Sequence, residues 1–386
     1  MKFTYLDWAA TALPNQEAQE FGQEIAREHY ANPSALHGPG KQAAAKLAEF
    51  REEIAGLLGC APKQLIFTAG GSESNTILFS HLLTKPRKGG IVTSRVEHAS
   101  VWETAALYRS WGYDLKLAEA ASDGEIPPEQ VLEKCGPDTD LVSIMLVNNE
   151  TGRVQDIPAI AGAIRHAEFI KRRVHIHTDA VQALGKIPFK LENLGADSAS
   201  FSGHKIGAPR GIGLLYLKHP LETAFRGGGQ EFGVRPGTEN LAGAAALCYC
   251  LKEICSDFDS ARKRVLKLNR ELTQGLRKIP GVRLLPDGYD ADSDRFVPHI
   301  LKCSFPPLPG EVMQRVLSDK GFAVSTGSAC ASNKKRTNRV MKALGIPAQT
   351  AESSIRLSIG SATTENEIRD FLAVAAAELG MMKEQI

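Results

Sequence analysis

Lys205 closes the run Ser200-Phe201-Ser202-Gly203-His204-Lys205, which reads as a strand end among small and polar residues and not as a charged helix surface. A lysine that forms a Schiff base must lose its proton near neutral pH. That takes burial or nearby positive charge, and small neighbours that admit a carbonyl compound. His204, Gly203 and Gly207 provide such room. Taken alone, a lysine is far more often a solvated surface group, because burying one unpaired is costly. Asp179 ends the apolar run of His177-Thr178-Asp179-Ala180-Val181-Gln182. There it can cap the next helix, or be the carboxylate that keeps a pyridinium nitrogen protonated and its ring an electron sink. The segment Thr68-Ala69-Gly70-Gly71-Ser72-Glu73-Ser74-Asn75 runs from a strand through glycines into a helix start. Its N–H groups and the Ser72 hydroxyl suit a phosphate, although an ordinary capped helix has the same form. Neither a Gly-Lys-Ser/Thr loop nor GxGxxG is present there.

These residues sit at the ends of elements that alternate in type. From about residue 15 to 220, helical periodicity (Phe21 and Ile25; Leu47, Phe50, Ile54 and Leu57) alternates with strand-like runs at 65–68, 91–93, 141–147, 174–178, 198–202 and 212–217. That order predicts an α/β fold with a mainly parallel central sheet flanked by helices, the last strand being a candidate for antiparallel pairing. Polar groups follow five of these strands: Gly70-Gly71-Ser72, Glu97-His98, Asn148-Asn149-Glu150, Asp179 with Gln182, and Ser202-Gly203-His204-Lys205. The carboxyl edge of such a sheet is where ligands bind. Long helical patterns at 238–258 and 261–279, then strand patterns at 282–285, 299–304 and 354–359, predict a smaller α+β domain. The expected division is a large domain over 15–256 and a small one over 257–386, with residues 1–14 packed on the latter.

The 386 residues carry 46 Lys and Arg against 44 Asp and Glu, a net +2 without long basic blocks, so nucleic acid gains no electrostatic support as a partner. No apolar run approaches the length of a membrane helix, and the start MKFTYLDWAATALP has no cationic and apolar leader pattern. A cytoplasmic protein with no membrane contact is expected. The seven cysteines form neither a disulfide framework nor a paired CxxC zinc site, so no metal is expected. Cys248, Cys250 and Cys255 are expected to pack in a core. Cys330, in a Gly/Ser segment followed by Lys334, Lys335 and Arg336, is a poor core cysteine, and those cations would favour its thiolate.

The runs Asp7-Trp8-Ala9-Ala10-Thr11, Asn32-Pro33-Ser34, Glu97-His98-Ala99, Val147-Asn148-Asn149-Glu150-Thr151-Gly152, Asp179-Ala180-Val181-Gln182, Ser202-Gly203-His204-Lys205, Arg235-Pro236-Gly237-Thr238 and Ser328-Ala329-Cys330 follow in order along nearly the whole chain. Together they resemble the NifS/IscS-type cysteine desulfurases of the class V aminotransferase group. The resemblance implies pyridoxal 5′-phosphate (PLP), the fold type I architecture of PLP-dependent transferases and a homodimer. It also implies that L-cysteine is converted to L-alanine with its sulfur passed to Cys330 as a persulfide. By the same resemblance Lys205 binds the cofactor covalently, Asp179 partners its ring nitrogen and His98 stacks on the ring and shuttles protons. Gln182 and Asn149 lie near its phenolic oxygen and the substrate, while Gly71, Ser72, Ser202 and His204 hold its phosphate with Thr238 of the other subunit. Arg356 clamps the substrate carboxylate, assisted by Asn32.

A sulfur acceptor such as an iron–sulfur scaffold, or a route to thio-cofactors or tRNA, is implied as partner, and Lys334, Lys335 and Arg336 read equally as a solvated face or a dock for it. The same lysine, aspartate and arginine also serve a selenocysteine lyase or another PLP β-lyase. A catalytically silent homologue that docks on a scaffold is the third reading. Ala12, Phe232 and Pro236 depart from the pattern, where a threonine, a basic residue and a serine are common.

Overall fold

The computed structural model describes residues 3–327 and 339–384. In chain order its strands are β1 (Thr4–Tyr5), β2 (Leu65–Thr68), β3 (Gly90–Ser94), β4 (Asp114–Ala118), β5 (Thr139–Ser143), β6 (His175–Asp179), β7 (Ser198–Ser202), β8 (Gly213–Leu217), β9 (Arg283–Leu285), β10 (Ile300–Ser304), β11 (Phe322–Ala323) and β12 (Ser354–Ser358). Seven form one sheet in the order β2-β8-β7-β6-β5-β3-β4. The pairs from β4 through β7 are parallel, and β8 is antiparallel to both β7 and β2. Strands β2, β5, β7 and β8 are buried at every residue, as helices on both faces require.

Two details differ from the sequence expectation. The edge strand β4 is missing from the predicted set because its Asp-Leu-Lys-Leu-Ala alternates polar and apolar residues and four of its five residues are partly or fully exposed, so it forms no apolar run. Pairing in the predicted 141–147 strand ends at Ser143. Its continuation still runs beside β6, with Ile144 N–H donating to the His177 carbonyl at 3.1 Å and Leu146 N–H to that of Asp179 at 2.9 Å.

A second sheet, β12-β10-β9, is antiparallel, and β1 pairs with β11 in parallel. The helices Phe258–Lys278 and Glu365–Lys383 supply Leu268, Leu272, Ile368 and Phe371 to an apolar cluster that also holds Leu6, Phe322, Ile355 and Leu357. Ala9, only three residues after Leu6, belongs instead to the cluster of the large sheet, with Phe67, Val142, Ile176 and Phe201. The segment at residues 6–9 therefore crosses from one core to the other. No helix among the described residues is long and apolar enough to cross a membrane.

Candidate active site

The carboxyl ends of β6 and β7 lie side by side, with Asp179 registered on Ser200. Beyond β7 a single helical turn, Gly203–Lys205, turns Lys205 back toward the amino-terminal segment. Its ammonium donates to the carbonyls of Ala9 at 2.6 Å and Ala10 at 2.8 Å. Gln182 Nε2 donates to the same Ala9 carbonyl at 2.9 Å, and the buried Lys186 ammonium donates to Gln182 Oε1. Burial, with Lys205 and Arg356 nearby, lowers Lys186 to about 7. Asp179 is buried, and its carboxylate accepts from Val181 N–H at 3.1 Å and Asn75 Nδ2 at 2.9 Å.

His98 caps the helix Ala99–Ser110, with Nδ1 accepting the Ser100 N–H at 3.2 Å. Burial lowers its proton affinity, although the Asp179 charge works the other way. Next to it Glu97 is buried, with Oε1 accepting from Ser94 Oγ and, at 3.0 Å, from Met145 N–H. Burial pushes this carboxyl up to about 8, so it is mostly protonated at neutral pH. His204 faces Thr11 Oγ1 at 3.1 Å, and burial, with Lys205 and Arg210 adding to it, lowers the imidazole to about 4.

Glycines shape the turn after β2. Gly70 has φ +152°, and a Cβ on Gly71 would stand 2.4 Å from Val181 Cγ2, just past Asp179. A Cβ on Gly213 of β8 would stand 2.6 Å from Gly70 Cα, so the turn is pressed against the sheet. The helix Gly71–Ser80 starts there, with Ser72 exposed on its first turn. A Cβ on Gly70 would lie 3.4 Å from Ser202 Oγ. The start of this helix therefore lies against the end of β7 at Ser202, three residues before Lys205.

Arg356, on β12, is buried and donates from Nη2 to Asp7 at 2.7 Å and from Nη1 to the Asn149 carbonyl at 2.9 Å. Its Nε is buried without a partner among the described residues. Lys302, wholly buried on β10, donates to the Thr326 carbonyl at 2.9 Å and to Glu150 at 3.4 Å. That ties the Thr326 backbone to the turn that carries Asn149 and Glu150. Arg339 donates to the carbonyls of Arg95 and Glu97 and lies over the Trp102 ring.

The predicted residues are not all drawn together. Asn32 is exposed and accepts from Ser34 N–H at 2.9 Å in its own turn, and no hydrogen bond joins it to Arg356 among the described residues. Thr238 is exposed on the loop whose Arg235 contacts Glu73 at 3.4 Å. Phe232 departs from the motif and also adopts the left-handed backbone: with φ +58° it is 61% exposed and lies 5.1 Å from the Arg51 guanidinium, which pairs with Glu231. Cys330, Lys334, Lys335 and Arg336 lie outside the described residues. Cys248 and Cys250 are buried as expected, but Cys255 is exposed because it falls at the helix end, one residue before Ser256. No cluster of metal-ligating groups occurs among the described residues.

Six residues with a part in this site are absent from the predicted set: Asp7, Asn75, Glu97, Ser100, Lys186 and Lys302. Asp7 and Glu97 lie inside quoted motifs, which was a usable signal. Lys302 lies in the alternating Ile-Leu-Lys-Cys-Ser, which reads as a lysine pointing to solvent.

The chain has a mainly parallel sheet with these residues at its carboxyl edge, and the aminotransferase class-V model matches its residues 4–371. The chain belongs to that family, in its NifS/IscS-type cysteine desulfurase group. A "NifS/IcsS protein homolog" of Lactobacillus delbrueckii subsp. bulgaricus is 36% identical over 374 residues, 96% of this chain and 95% of that protein. A "Cysteine desulfurase IscS" of Dictyoglomus turgidum is 32% identical over 379 residues, 96% of this chain and 93% of that one. Among solved structures, a "NifS-like protein" superposes with a TM-score of 0.89 at 32% identity, over 98% of this chain and all of that one.

Proposed function

We propose that this enzyme converts L-cysteine to L-alanine with PLP bound at Lys205 and passes the sulfur to Cys330. The observation that carries the proposal is the convergence of Lys205, Asp179 and the Gly70-Gly71 cup on one sheet edge. The donor set fits the cofactor. The cup has no room for side chains on Gly71 or Gly213 and offers backbone N–H groups to a phosphate. The Asp179 carboxylate would hold a protonated ring nitrogen, and the Lys205 amine would bind the aldehyde. When bound, the cofactor supplies an electron sink for the substrate's α-carbon.

The chain's own residues do the rest. His98, neutral by burial, would stack against the ring and carry protons at Nε2. Gln182, pinned between the Ala9 carbonyl and Lys186, would face the phenolic oxygen. Ser72, Ser202 and His204 would complete the phosphate cup, with Thr238 of a second copy, which makes the enzyme a homodimer. Arg356, fixed by Asp7 and Asn149 and with Nε unpartnered among the described residues, would receive the substrate carboxylate, with Asn149 and Asn32 beside it. The Cys330 thiolate would attack the substrate sulfur, breaking the carbon–sulfur bond and leaving alanine and a persulfide for a sulfur-acceptor protein.

The test is a product assay with a thiol reductant, L-cysteine and L-selenocysteine side by side. Wild type should be yellow and release alanine and sulfide from L-cysteine. A large kinetic preference for selenocysteine would transfer the assignment to a selenocysteine lyase. No PLP absorbance after reconstitution would overturn the proposal.

A further inference from the structure

We propose that Asn75 is a positioning residue whose amide couples Asp179 to the Ser100–His98 pair and fixes His98 as the tautomer with its hydrogen on Nε2. The inference deepens the functional reading above, in which Asp179 and His98 face the cofactor.

Asn75 is wholly buried on the helix that starts at the anion cup. Its Nδ2 donates to Asp179 Oδ2 at 2.9 Å and to Ser100 Oγ at 2.8 Å, using both amide hydrogens. The reverse orientation of the amide would set its oxygen against a carboxylate that only accepts. Ser100 Oγ, already accepting from Asn75, has one hydrogen of its own, and His98 Nδ1 stands 2.8 Å away. The Ser100 N–H points at the same Nδ1 at 3.2 Å. Two donors on one ring nitrogen leave no place for a proton there, so a neutral His98 carries its hydrogen on Nε2.

The other half of the amide carries the ordering further. Asn75 Oδ1 lies 3.0 Å from His177 Nε2 and can only accept, so His177 is protonated at Nε2 and accepts at Nδ1. Ser198 Oγ, 2.8 Å from that Nδ1, must then donate to it, and accepts from His175 Nε2 at 2.8 Å. Every hydrogen along this chain has one assignment, and Asn75 is the member that joins the sheet interior to the site. Protonating His98 on Nδ1 would set its hydrogen against the Ser100 N–H and turn the Ser100 hydroxyl from donor to acceptor, so the network opposes an imidazolium independently of burial. The charged groups facing His98 are Asp179 and Glu150, which favour its protonated form, and Lys205 and Arg339, which oppose it.

The test reads imidazole nitrogens by NMR in the full-length protein labelled at its histidines, with and without PLP, with His98→Gln identifying the His98 signals. Wild type should show Nδ1 bare and Nε2 protonated from pH 7 to 9. Asn75→Asp keeps the size but puts an acceptor where Nδ2 donated: its carboxyl shares a proton with Asp179 and takes the Ser100 hydroxyl hydrogen, so Nδ1 loses its hydroxyl donor. The proton affinity of His98 should rise about tenfold or more. Ser100→Ala should raise it in the same direction, and decides the matter alone if Asn75→Asp does not fold. A wild-type Nδ1–H tautomer, or an unchanged His98 titration in a folded variant, overturns the inference. Failure of the wild type to take up PLP would overturn the functional reading instead, since the tautomer is read without PLP as well.

Discussion

Asp7 and Arg356 stand 349 positions apart and meet in an ion pair of 2.7 Å. The pair holds the amino-terminal segment on β12, and two residues further on the same segment gives its carbonyls to Lys205 and Gln182. The amino-terminal motif thus works through its backbone and one carboxylate, touching both the lysine and the arginine ends of the site.

Substitution of Arg356 by Lys removes the planar fork while keeping a charge. Steady-state kinetics should show the KM for L-cysteine rising about tenfold, with kcat changed less and PLP absorbance retained. An equal loss of kcat and kcat/KM, with KM unchanged, would assign Arg356 to the chemical step instead of to substrate binding.

Lys302 and Glu150 form a pair whose ammonium is completely buried. Glu150→Gln leaves that charge uncompensated and should cost about 3–5 kcal/mol in urea unfolding. The double variant Lys302→Met with Glu150→Gln should recover most of the loss. Additive losses would mean that the two side chains act separately.

Acid should destabilise the fold early. Burial holds the imidazoles of His175 and His204 at about 4 and that of His299 at about 3. In the unfolded chain they titrate near 6.5, so between that pH and about 4 the unfolded state binds protons that the native state refuses. Their contribution to stability is therefore lost as the pH falls through this window. Glu97, raised to about 8 by burial, acts oppositely: the native state holds its proton from about 4.5 to 8. Three groups outweigh one, and the melting temperature should drop between pH 6.5 and 5. A flat or rising melting temperature over that interval would contradict this.

Lys205→Ala should abolish the visible absorbance of the bound cofactor, while far-ultraviolet circular dichroism stays unchanged. Survival of the absorbance with the lysine gone would move the covalent attachment elsewhere.

Much of this site is readable in sequence because parallel strands buried on both faces are apolar runs, and a polar cluster after each run marks the binding edge. Lys205, Asp179, His98 and the Gly70-Gly71 turn stand out in that way. Asn75 and Ser100 do not, since each looks like an ordinary polar residue in a helix's first turns, and only the packing of two helix starts on β6 makes them neighbours. Lys302 misleads outright: strand alternation sends a lysine to solvent, whereas Glu150 and the Thr326 carbonyl hold it inside. Asp7 needs the pairing of β1 with β11 and the crossing of residues 6–9 between cores, long-range relationships that local patterns do not contain.

The central claim is tested most directly with L-cysteine labelled at sulfur, given to wild type and to Cys330→Ser without reductant. Wild type should retain label as a persulfide, released by added thiol, and form alanine in step with it. The variant should keep the PLP colour and retain no label. Equal label and equal alanine from Cys330→Ser would contradict the assignment of Cys330 as the residue that carries the sulfur.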